Sequence, residues 1–309
     1  MAALLLAAWS ATVFVDSSNF AVAGLAALAP LVSVLALPVI AVGVASKHLV
    51  PTAIAVAAAL LPWSLVTGYA VAGPGQHAPV GADTTLRVMS VDGAQGRASA
   101  KDIVQVTRLY AVDIVVITDL TSAQAHDLTV AGLNALAPSR WVDVTPNGVH
   151  GTGLWARPNI TTPTPITGLS RNGVDGLIET GGPTKIGISV VHLTGSPVRP
   201  GRGWRSDLAT LGSRTPPAKD SFIVGDLNAS PWQPAFRKLT GAKWRDAADV
   251  IGQGLRPTWP SWSPLPIAPV DHVLASPGLG VAGADTTNIA GSTHRALIVT
   301  LILPRAAGD

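Results

Sequence analysis

Residues 222–230 read FIVGDLNAS, and this stretch joins an apolar strand to a polar loop. The aromatic and β-branched residues 222–224 are typical of a buried strand. Asp226 and Asn228 follow where that strand opens into the loop, and because they are two residues apart their side chains point to the same face. An acid and an amide in this arrangement can hold a phosphate and the water that attacks it. Taken alone, the same pair is also a common turn cap.

Other predicted strands also end in ionisable residues. Residues 86–91 alternate as a strand does and lead to Asp92, and the β-branched run 113–118 leads to Asp119. Residues 184–192 form a third such run, which ends with His192. The sequence therefore predicts acids and a histidine at the carboxyl ends of several strands.

The remaining pattern predicts a mixed α+β sandwich with its loops gathered at one end of the sheets. Helical spacing indicates helices, extended apolar runs indicate further strands, and stretches rich in Pro, Thr and Trp indicate loops. The predicted helices cover residues 101–110, 202–211 and 233–239, the further strands 153–156, 270–275 and 296–303, and the loops 158–171 and 256–269.

The N-terminal part of the chain has a different composition. The whole chain of 309 residues has a mean hydropathy of +0.39, and only 13% of its residues are charged. The apolar excess is concentrated in residues 1–73, which carry just two formal charges, Asp16 and Lys47. Three apolar runs, residues 2–15, 20–45 and 49–72, predict three transmembrane helices. A signal peptide is the alternative for the first run, although that run lacks a basic leading segment.

The same pattern predicts where the parts of the chain lie. Lys47 places its loop in the cytoplasm by the positive-inside rule, so three crossings put the following domain outside. We therefore expect a multi-pass protein of the cell membrane with an extracytoplasmic domain over residues 84–309 and a linker over 74–83. The chain has no cysteine, which excludes a disulfide framework. A net charge of +3 is too small to indicate a nucleic-acid surface.

Three motifs occur in a characteristic order and spacing: GDLNAS at residues 225–230, VDHVL at 270–274 and STHR at 292–295. Together they resemble the endonuclease/exonuclease/phosphatase superfamily, the DNase-like and sphingomyelinase-like metallohydrolases. The resemblance covers about residues 86–303, and the apolar N-terminus is similar to that of the family's bacterial membrane-anchored branch. It implies a four-layered α/β sandwich whose site lies at one end of two packed sheets.

The resemblance also implies roles for five residues. Asp226 matches the acid that activates the attacking water or manages the leaving-group proton, and Asn228 matches the amide that orients a phosphate oxygen. His294 matches the catalytic histidine, and Asp271 matches the carboxylate that orients it. His192 stands where the family has a His or Tyr that touches a phosphate oxygen.

The expected metal ligands differ from the family pattern. Asp92 stands where the family usually has Asn, Asp119 where it has Glu, and Thr293 where it has Asp, so the total charge is unchanged. Asp92 and Asp119 are therefore expected to hold a divalent cation, Mg²⁺ in the first place. Because Asp is shorter than Glu by one C–C bond, about 1.5 Å, Mn²⁺ or Ca²⁺ are the alternatives.

These observations lead to two functional hypotheses. The first is a membrane-anchored, metal-dependent phosphohydrolase that cleaves a phosphodiester or phosphomonoester in a lipid or envelope component. Arg205, in a Gly-rich loop before a predicted helix, is expected to contribute to substrate binding, with a solvated basic face as the alternative. The second hypothesis is a catalytically degenerate member that binds an envelope ligand or a membrane partner. A secreted nuclease is disfavoured by the apolar anchor and the small charge.

Overall fold

The structure, a computed structural model, describes residues 1–71, 85–181, 185–196, 198–241, 243–252, 254–264 and 267–304. The predicted linker over 74–83 lies outside these residues. The strands, numbered in chain order, are β1 (Thr85–Asp92), β2 (Ile114–Leu120), β3 (Ser139–Asp143), β4 (Gly151–Ala156), β5 (Asn159–Pro165), β6 (Val174–Glu179), β7 (Lys185–His192), β8 (Gly195–Ser196), β9 (Arg199–Pro200), β10 (Ser221–Asp226), β11 (Arg245–Asp246), β12 (Asp271–Ala275), β13 (Gly280–Thr287) and β14 (Ala296–Ile302). The α-helices are α1 (Ala2–Ala11), α2 (Phe20–Ala27), α3 (Leu31–Ala45), α4 (Leu49–Ser64), α5 (Ala100–Leu109), α6 (Ser122–Val130), α7 (Leu133–Leu136), α8 (Trp204–Ser213), α9 (Pro234–Thr240) and α10 (Ala247–Ile251).

Two six-stranded sheets form the body of the domain. The first has the order β13-β14-β1-β2-β4-β3 and the second β11-β12-β10-β7-β6-β5. Each sheet has one parallel pair at its centre, β1 with β2 and β7 with β10, and its other neighbours are antiparallel. The carboxyl ends of a parallel pair meet at one edge of the sheet. This topology places the predicted strand-end residues at one edge of each sheet.

The alternation along the central strands explains the layers. Val88 and Val224 point into the core between the two sheets, whereas Val91 packs under α5, α6 and α7 and Ile223 packs under α8 and α9. Both faces of these strands are therefore buried, and each such side chain contributes about 1.5–3 kcal/mol. The predicted α+β class is confirmed, and the outer helices complete a sandwich of four layers.

One predicted loop is wrong in its first half. Residues 159–165 form the edge strand β5, which pairs with β6, although the stretch contains prolines. An edge strand tolerates proline because its outer N–H groups need no partner in the sheet. The other predicted loop, 256–269, contains no helix or strand within its described residues beyond an isolated bridge between Trp259 and Ala268.

The N-terminal helices also differ from the prediction. The expected continuous helix over 20–45 is broken at Leu28–Pro30, because Pro30 has no N–H to donate. The helix expected over 49–72 ends at Ser64. Taken singly, no helix among the described residues combines the length and apolarity needed to cross a bilayer. The pair α2 and α3 meets those criteria only together, with a bend of 72° between them.

Apolar side chains remain exposed on these helices. Leu37 on α3, Leu49 on α4 and Leu60 on α4 are 62%, 80% and 63% exposed, and most of the exposed large apolar side chains of the described chain lie in residues 1–71. A smaller group of buried residues, among them Val13, Tyr69 and Trp232, packs the helices onto the domain beside α9 and α10. The N-terminal segment is thus in direct contact with the domain.

Candidate active site between the two sheets

Asp226 lies at the end of β10 and accepts hydrogen bonds from Asn228, two residues further along the chain. Its Oδ1 accepts a hydrogen bond from the backbone N–H of Asn228 at 2.8 Å, and its Oδ2 accepts one from Nδ2 of the same residue at 2.9 Å. Nδ2 of Asn228 also donates to the carbonyl of Leu193 at 2.9 Å. Both amide hydrogens of Asn228 are therefore engaged within the protein. Its immediate role is to orient Asp226, and a contact with phosphate remains a prediction.

The turn after β10 depends on Gly225. Its φ is +140°, and a Cβ at this position would lie 1.9 Å from the carbonyl oxygen of Val191 on the parallel neighbour β7. A side chain would therefore push the two strands apart. Asn228 also has a positive φ, +48°, a conformation that Asn tolerates better than most residues. These two backbone conformations direct the carboxylate of Asp226 towards the site.

Asp271 and His294 form the pair that the sequence predicts. Nδ1 of His294 lies 2.8 Å from Oδ2 of Asp271, and both residues are buried. Burial by itself lowers the pKa of His294, but the charges of Asp271 and Asp226 outweigh it and raise that pKa to about 10. His294 is therefore a cation at neutral pH. It precedes β14 in the first sheet while Asp271 begins β12 in the second, so the pair joins the two sheets.

His192 lies between the acids of the two sheets. Its Nε2 is 3.6 Å from Oδ2 of Asp226, and its Nδ1 is 3.5 Å from Oδ1 of Asp119. Nη1 of Arg171 lies 2.9 Å from both ring nitrogens. Burial, followed by the charge of Arg171, lowers the pKa of His192 well below its ordinary value. His192 is therefore a neutral imidazole, and Arg171 supplies the positive charge beside it.

Asp119 is engaged by residues of the protein. It lies in β2 at a break in the pairing with β4, where its φ is +47°. Nδ1 of His150 lies 2.7 Å from Oδ1 of Asp119, and Nη1 of Arg171 lies 3.4 Å from the same oxygen. Burial raises the pKa of Asp119, and the charge of Asp92 raises it further, whereas the hydrogen bond from His150 lowers it.

Asp92, at the end of β1, is also enclosed. Its Oδ1 accepts a hydrogen bond from the N–H of Ala94 at 2.8 Å, and its Oδ2 accepts from both the N–H and the hydroxyl of Thr293. Ser292 donates its hydroxyl to the carbonyl of Asp92 at 2.8 Å. Thr293 therefore fixes Asp92 instead of offering a carboxylate of its own.

The side chains present fit a hard divalent cation. Four carboxyl groups, those of Asp92, Asp119, Asp226 and Asp271, meet at the site, with Arg171 and the protonated His294 beside them. Burial, together with the charge of Asp271, raises the pKa of Asp226 well above its ordinary value, which is the expected result of crowded acids. Oδ1 of Asp271 is buried and has no hydrogen-bond partner among the described residues. Oxygen ligands of this kind suit Mg²⁺, Mn²⁺ or Ca²⁺.

The structure also brings together a set of possible metal ligands that the sequence does not predict. One atom each from Asp226, Asp271 and His294 lies within 4.8 Å of the others. The predicted ligands were Asp92 and Asp119, whose charges influence each other but whose oxygens have protein partners. The assignment of Asp92 and Asp119 to the metal remains a prediction.

Arg205, the predicted substrate contact, points towards the N-terminal helices. Its guanidinium binds Asp16 with Nε–Oδ1 at 2.6 Å and Nη2–Oδ2 at 2.8 Å, and Lys238 binds the same carboxylate at 2.6 Å. The hydrogen bond from Arg205 is the main cause that lowers the pKa of Asp16 to about 2. The three residues line a cavity of about 710 Å³, and none of the acids of the candidate site is among its lining residues. A contact between Arg205 and substrate remains a prediction.

Two residues of the site, Arg171 and His150, are not predicted by any sequence motif. Arg171 falls in a stretch predicted to be a loop, and His150 precedes β4 without any recognisable motif. No local pattern marks either residue, because each reaches Asp119 from a distant part of the chain, at separations of 52 and 31 residues. Only the folded chain brings them to the site.

A sequence model of the Endonuclease/Exonuclease/phosphatase family matches residues 84–294, about two thirds of the chain. No curated protein matches the chain.

Several solved structures share the fold. An endonuclease/exonuclease/phosphatase from Beutenbergia cavernae DSM 12333 has 18% identity and a TM-score of 0.54, covering 73% of each chain. TDP2 from D. rerio, complexed with single strand DNA product, has 16% identity and a TM-score of 0.57, covering 71% of this chain and 99% of its own. The endonuclease/exonuclease/phosphatase from Bacteroides vulgatus has 14% identity and a TM-score of 0.52, covering 72% and 100%. At these identities the likeness concerns the fold alone.

Proposed function

Because the chain belongs to the endonuclease/exonuclease/phosphatase family, we propose that it is a metal-dependent phosphoric ester hydrolase held at the cell membrane, with its active site outside the cytoplasm. Members of this family hydrolyse phosphoric esters with divalent metals. The observation that carries the proposal for this chain is the cluster of Asp226, Asp271 and His294 between the ends of the two sheets.

Each of these residues has a chemical task. Asp226, whose two carboxyl oxygens are oriented by Asn228, is placed to orient the attacking water and, in its ionised form, to accept the proton of that water. His294, kept protonated by Asp271, donates a hydrogen bond to a phosphoryl oxygen as negative charge develops there. Arg171 adds a second positive charge beside His192.

A divalent cation would be held by carboxylates of this cluster, with Asp226 and Asp271 as the ligands that the geometry favours and Asp92 and Asp119 as those expected from the sequence. When bound, it would neutralise charge on the phosphoryl oxygens. The protein residues then orient the water and the ester so that attack occurs in line with the leaving group.

The proposed membrane location is supported by the N-terminal segment. Residues 1–73 carry two formal charges, and α1 to α4 leave large apolar side chains exposed. A domain that lies against such helices would be close to lipid headgroups and other envelope phosphates, so we include a phosphorylated lipid or envelope component as the substrate. Fractionation with alkaline carbonate, followed by protease treatment of intact cells, tests the location. Release into the soluble fraction would contradict it.

The activity is tested on the full-length protein in detergent. Hydrolysis of bis(p-nitrophenyl) phosphate and p-nitrophenyl phosphate is measured with Mg²⁺, Mn²⁺ or Ca²⁺, for the wild type and for Asp226→Asn and His294→Gln. The matched controls are Asp285→Asn and His126→Gln, both of which change exposed residues outside the site. We expect activity that the two site variants lose and the two controls keep. Activity that all four variants retain would overturn the proposal.

One observation favours a second candidate, a degenerate member that binds an envelope ligand without cleaving it. Thr293 and His150 already occupy oxygens of Asp92 and Asp119 that the family would offer to a metal. A wild-type protein without hydrolytic activity under any of the three metals would favour this candidate. A screen of phospholipids and phosphorylated sugars for binding would then identify the ligand class.

A further inference from the structure

The loop that carries the catalytic acid runs directly into the contact with the N-terminal helices. Trp232, six residues after Asp226, is 1% exposed, and its Nε1 donates a hydrogen bond to the carbonyl of Pro62 at 3.1 Å. Its ring meets that of Trp63 edge to face, with 6.1 Å between the centroids. Nε2 of Gln233 donates to the carbonyl of Ala23 at 3.1 Å. The far end of this loop is therefore bound to α2 and α4.

A second connection reaches the same loop through buried polar groups. The hydroxyl of Tyr69, in a 3-10 turn after α4, donates to Oδ2 of Asp246 at 2.9 Å. Nδ1 of His272 lies 2.7 Å from the same oxygen, and Nε2 of His272 lies 2.9 Å from the carbonyl oxygen of Ala229. Ala229 belongs to the same loop after β10, three residues beyond Asp226, and His272 is the neighbour of Asp271 on β12. The chain of bonds thus begins in the N-terminal segment and ends at the active site.

The hydrogen-bonding capacity of each group fixes the direction of every bond. A carboxylate oxygen and a carbonyl oxygen can only accept, so both ring nitrogens of His272 donate. Oδ1 of Asp246 accepts from the N–H of Ala248 at 3.0 Å. Tyr69, Asp246 and His272 are 6%, 4% and 1% exposed, so bulk water cannot replace a lost partner. A buried network of this kind stays ordered only while each member keeps its partners.

We infer that Tyr69 is a positioning residue for the active site: through Asp246 and His272 it fixes the backbone of the loop that carries Asp226 and Asn228. The N-terminal helices are then part of the catalytic unit and not only its attachment to a membrane. The backbone N–H of Gly254 donates to the carbonyl of Tyr69, which holds the 3-10 turn against the domain. This inference rests on the proposed hydrolase function for its kinetic effect, and on the structure alone for the hydrogen bonds.

The chain offers a matched pair of variants, because it contains just two tyrosines, Tyr69 and Tyr110. Tyr69→Phe removes one hydroxyl from the network, and Tyr110→Phe removes one from a half-buried residue at the end of α5. Both are measured as full-length protein in the same detergent. The readouts are kcat and KM for bis(p-nitrophenyl) phosphate, the thermal midpoint, and the ring resonances of His272 in ¹⁵N-histidine-labelled protein, identified by their loss in His272→Gln.

For Tyr69→Phe we expect kcat to fall about tenfold, as when a residue that orients an active-site group is lost, while KM changes by less than about twofold because the substrate-contacting groups remain. The His272 ring resonances shift, and the ring N–H protons exchange faster with water. Tyr110→Phe keeps the wild-type values. If Tyr69→Phe does not fold, Asp246→Asn replaces it, with the same expected loss of kcat and shift of the His272 resonances.

Two results would overturn the inference. One is a folded Tyr69→Phe protein with wild-type kcat and unchanged His272 resonances. The other is a lowered thermal midpoint with wild-type kcat, because that result gives Tyr69 a role in stability alone. If the wild type hydrolyses no ester with any metal, the proposed function fails. The His272 resonances then decide the positioning role by themselves, with a shift in its favour and unchanged resonances against it.

Discussion

The two sheets contribute unequal halves to the site. On the side of the second sheet, Asn228 donates hydrogen bonds to Asp226, and Asp271 bonds His294, which precedes β14 of the first sheet and joins the two sides. On the side of the first sheet, Asp92 bonds Thr293 of the STHR motif, whereas Asp119 bonds His150, which no motif indicates. The residues of the second-sheet side therefore all come from the three motifs, and the first-sheet side includes a residue from elsewhere in the chain.

This difference shows what a strand-end acid can and cannot indicate. In both halves a β-strand delivers a carboxylate to the same region, so the strand pattern identifies the position of the acid equally well. Whether its oxygens face a ligand or a neighbouring side chain depends on residues that are distant in sequence. The two halves should respond differently to substitution.

The largest effect is expected from Asp271→Asn, on the second-sheet side of the site. The charge of Asp271 keeps His294 protonated until the pH rises through about 10. Without that charge, only the charges of Asp226 and Asp92 oppose the effect of burial, so the pKa of His294 falls and the alkaline limit of activity moves to lower pH. We expect kcat at pH 9 to fall about 100-fold, measured as a pH–rate profile from pH 5 to 10.5.

The Asp271–His294 pair also makes the stability of the protein depend on pH. The pKa of His294 is raised on folding from an ordinary value of 6.5, so its stabilising contribution is fully present below pH 6.5 and is lost as the pH rises through about 10. The free energies of unfolding of the wild type and Asp271→Asn, measured by denaturation across this range, should converge at the alkaline end.

For the kinetic prediction, an unchanged pH–rate profile in Asp271→Asn would show that His294 does not act as the charged donor.

A smaller effect is expected from Asp92→Asn, on the first-sheet side of the site. The charge of Asp92 contributes to the raised pKa of both Asp119 and Asp226, so its removal lowers both pKa values and weakens the attraction for a cation. We expect the metal concentration for half-maximal activity to rise about tenfold, with kcat at saturating metal changed by less than about threefold. Titrations with Mg²⁺ and Mn²⁺ measure both quantities, and Asp285→Asn serves as the control. An unaltered metal requirement would remove Asp92 from the metal side.

The smallest effect is expected from His150→Gln. The side chain of His150 is 49% exposed, and its bond to Asp119 is partly screened by solvent. Such pairs contribute about 0.2–1 kcal/mol, so activity should fall by no more than about fivefold. The comparison is with His126→Gln, which changes an exposed histidine on α6. A much larger loss would mean that His150 contacts the substrate.

Much of the fold could be predicted from the sequence. Nine elements lie within a few residues of their predicted positions: strands β1, β2, β7, β10, β12 and β14 and helices α5, α8 and α9. Their apolar residues recur with the period of a strand or a helix, so the sequence alone indicates which face is buried. The edge strand β5 was missed because it is mostly exposed and contains prolines. The break at Pro30 was missed because a long apolar run gives no signal of where neighbouring helices bend.

The sequence by itself determined the residue types of the motifs around Asp226, Asp271 and His294 and predicted their place at the strand ends, since these depend on local spacing and on residue chemistry. The tertiary structure alone decided which groups surround those residues. Arg171, His150 and Tyr69 reach the site or its supporting network from separate segments, and the ionisation of His192 and His294 follows from their buried neighbours. Electrostatics and hydrogen bonds act through space, so the sequence order that locates an acid does not specify what it will face.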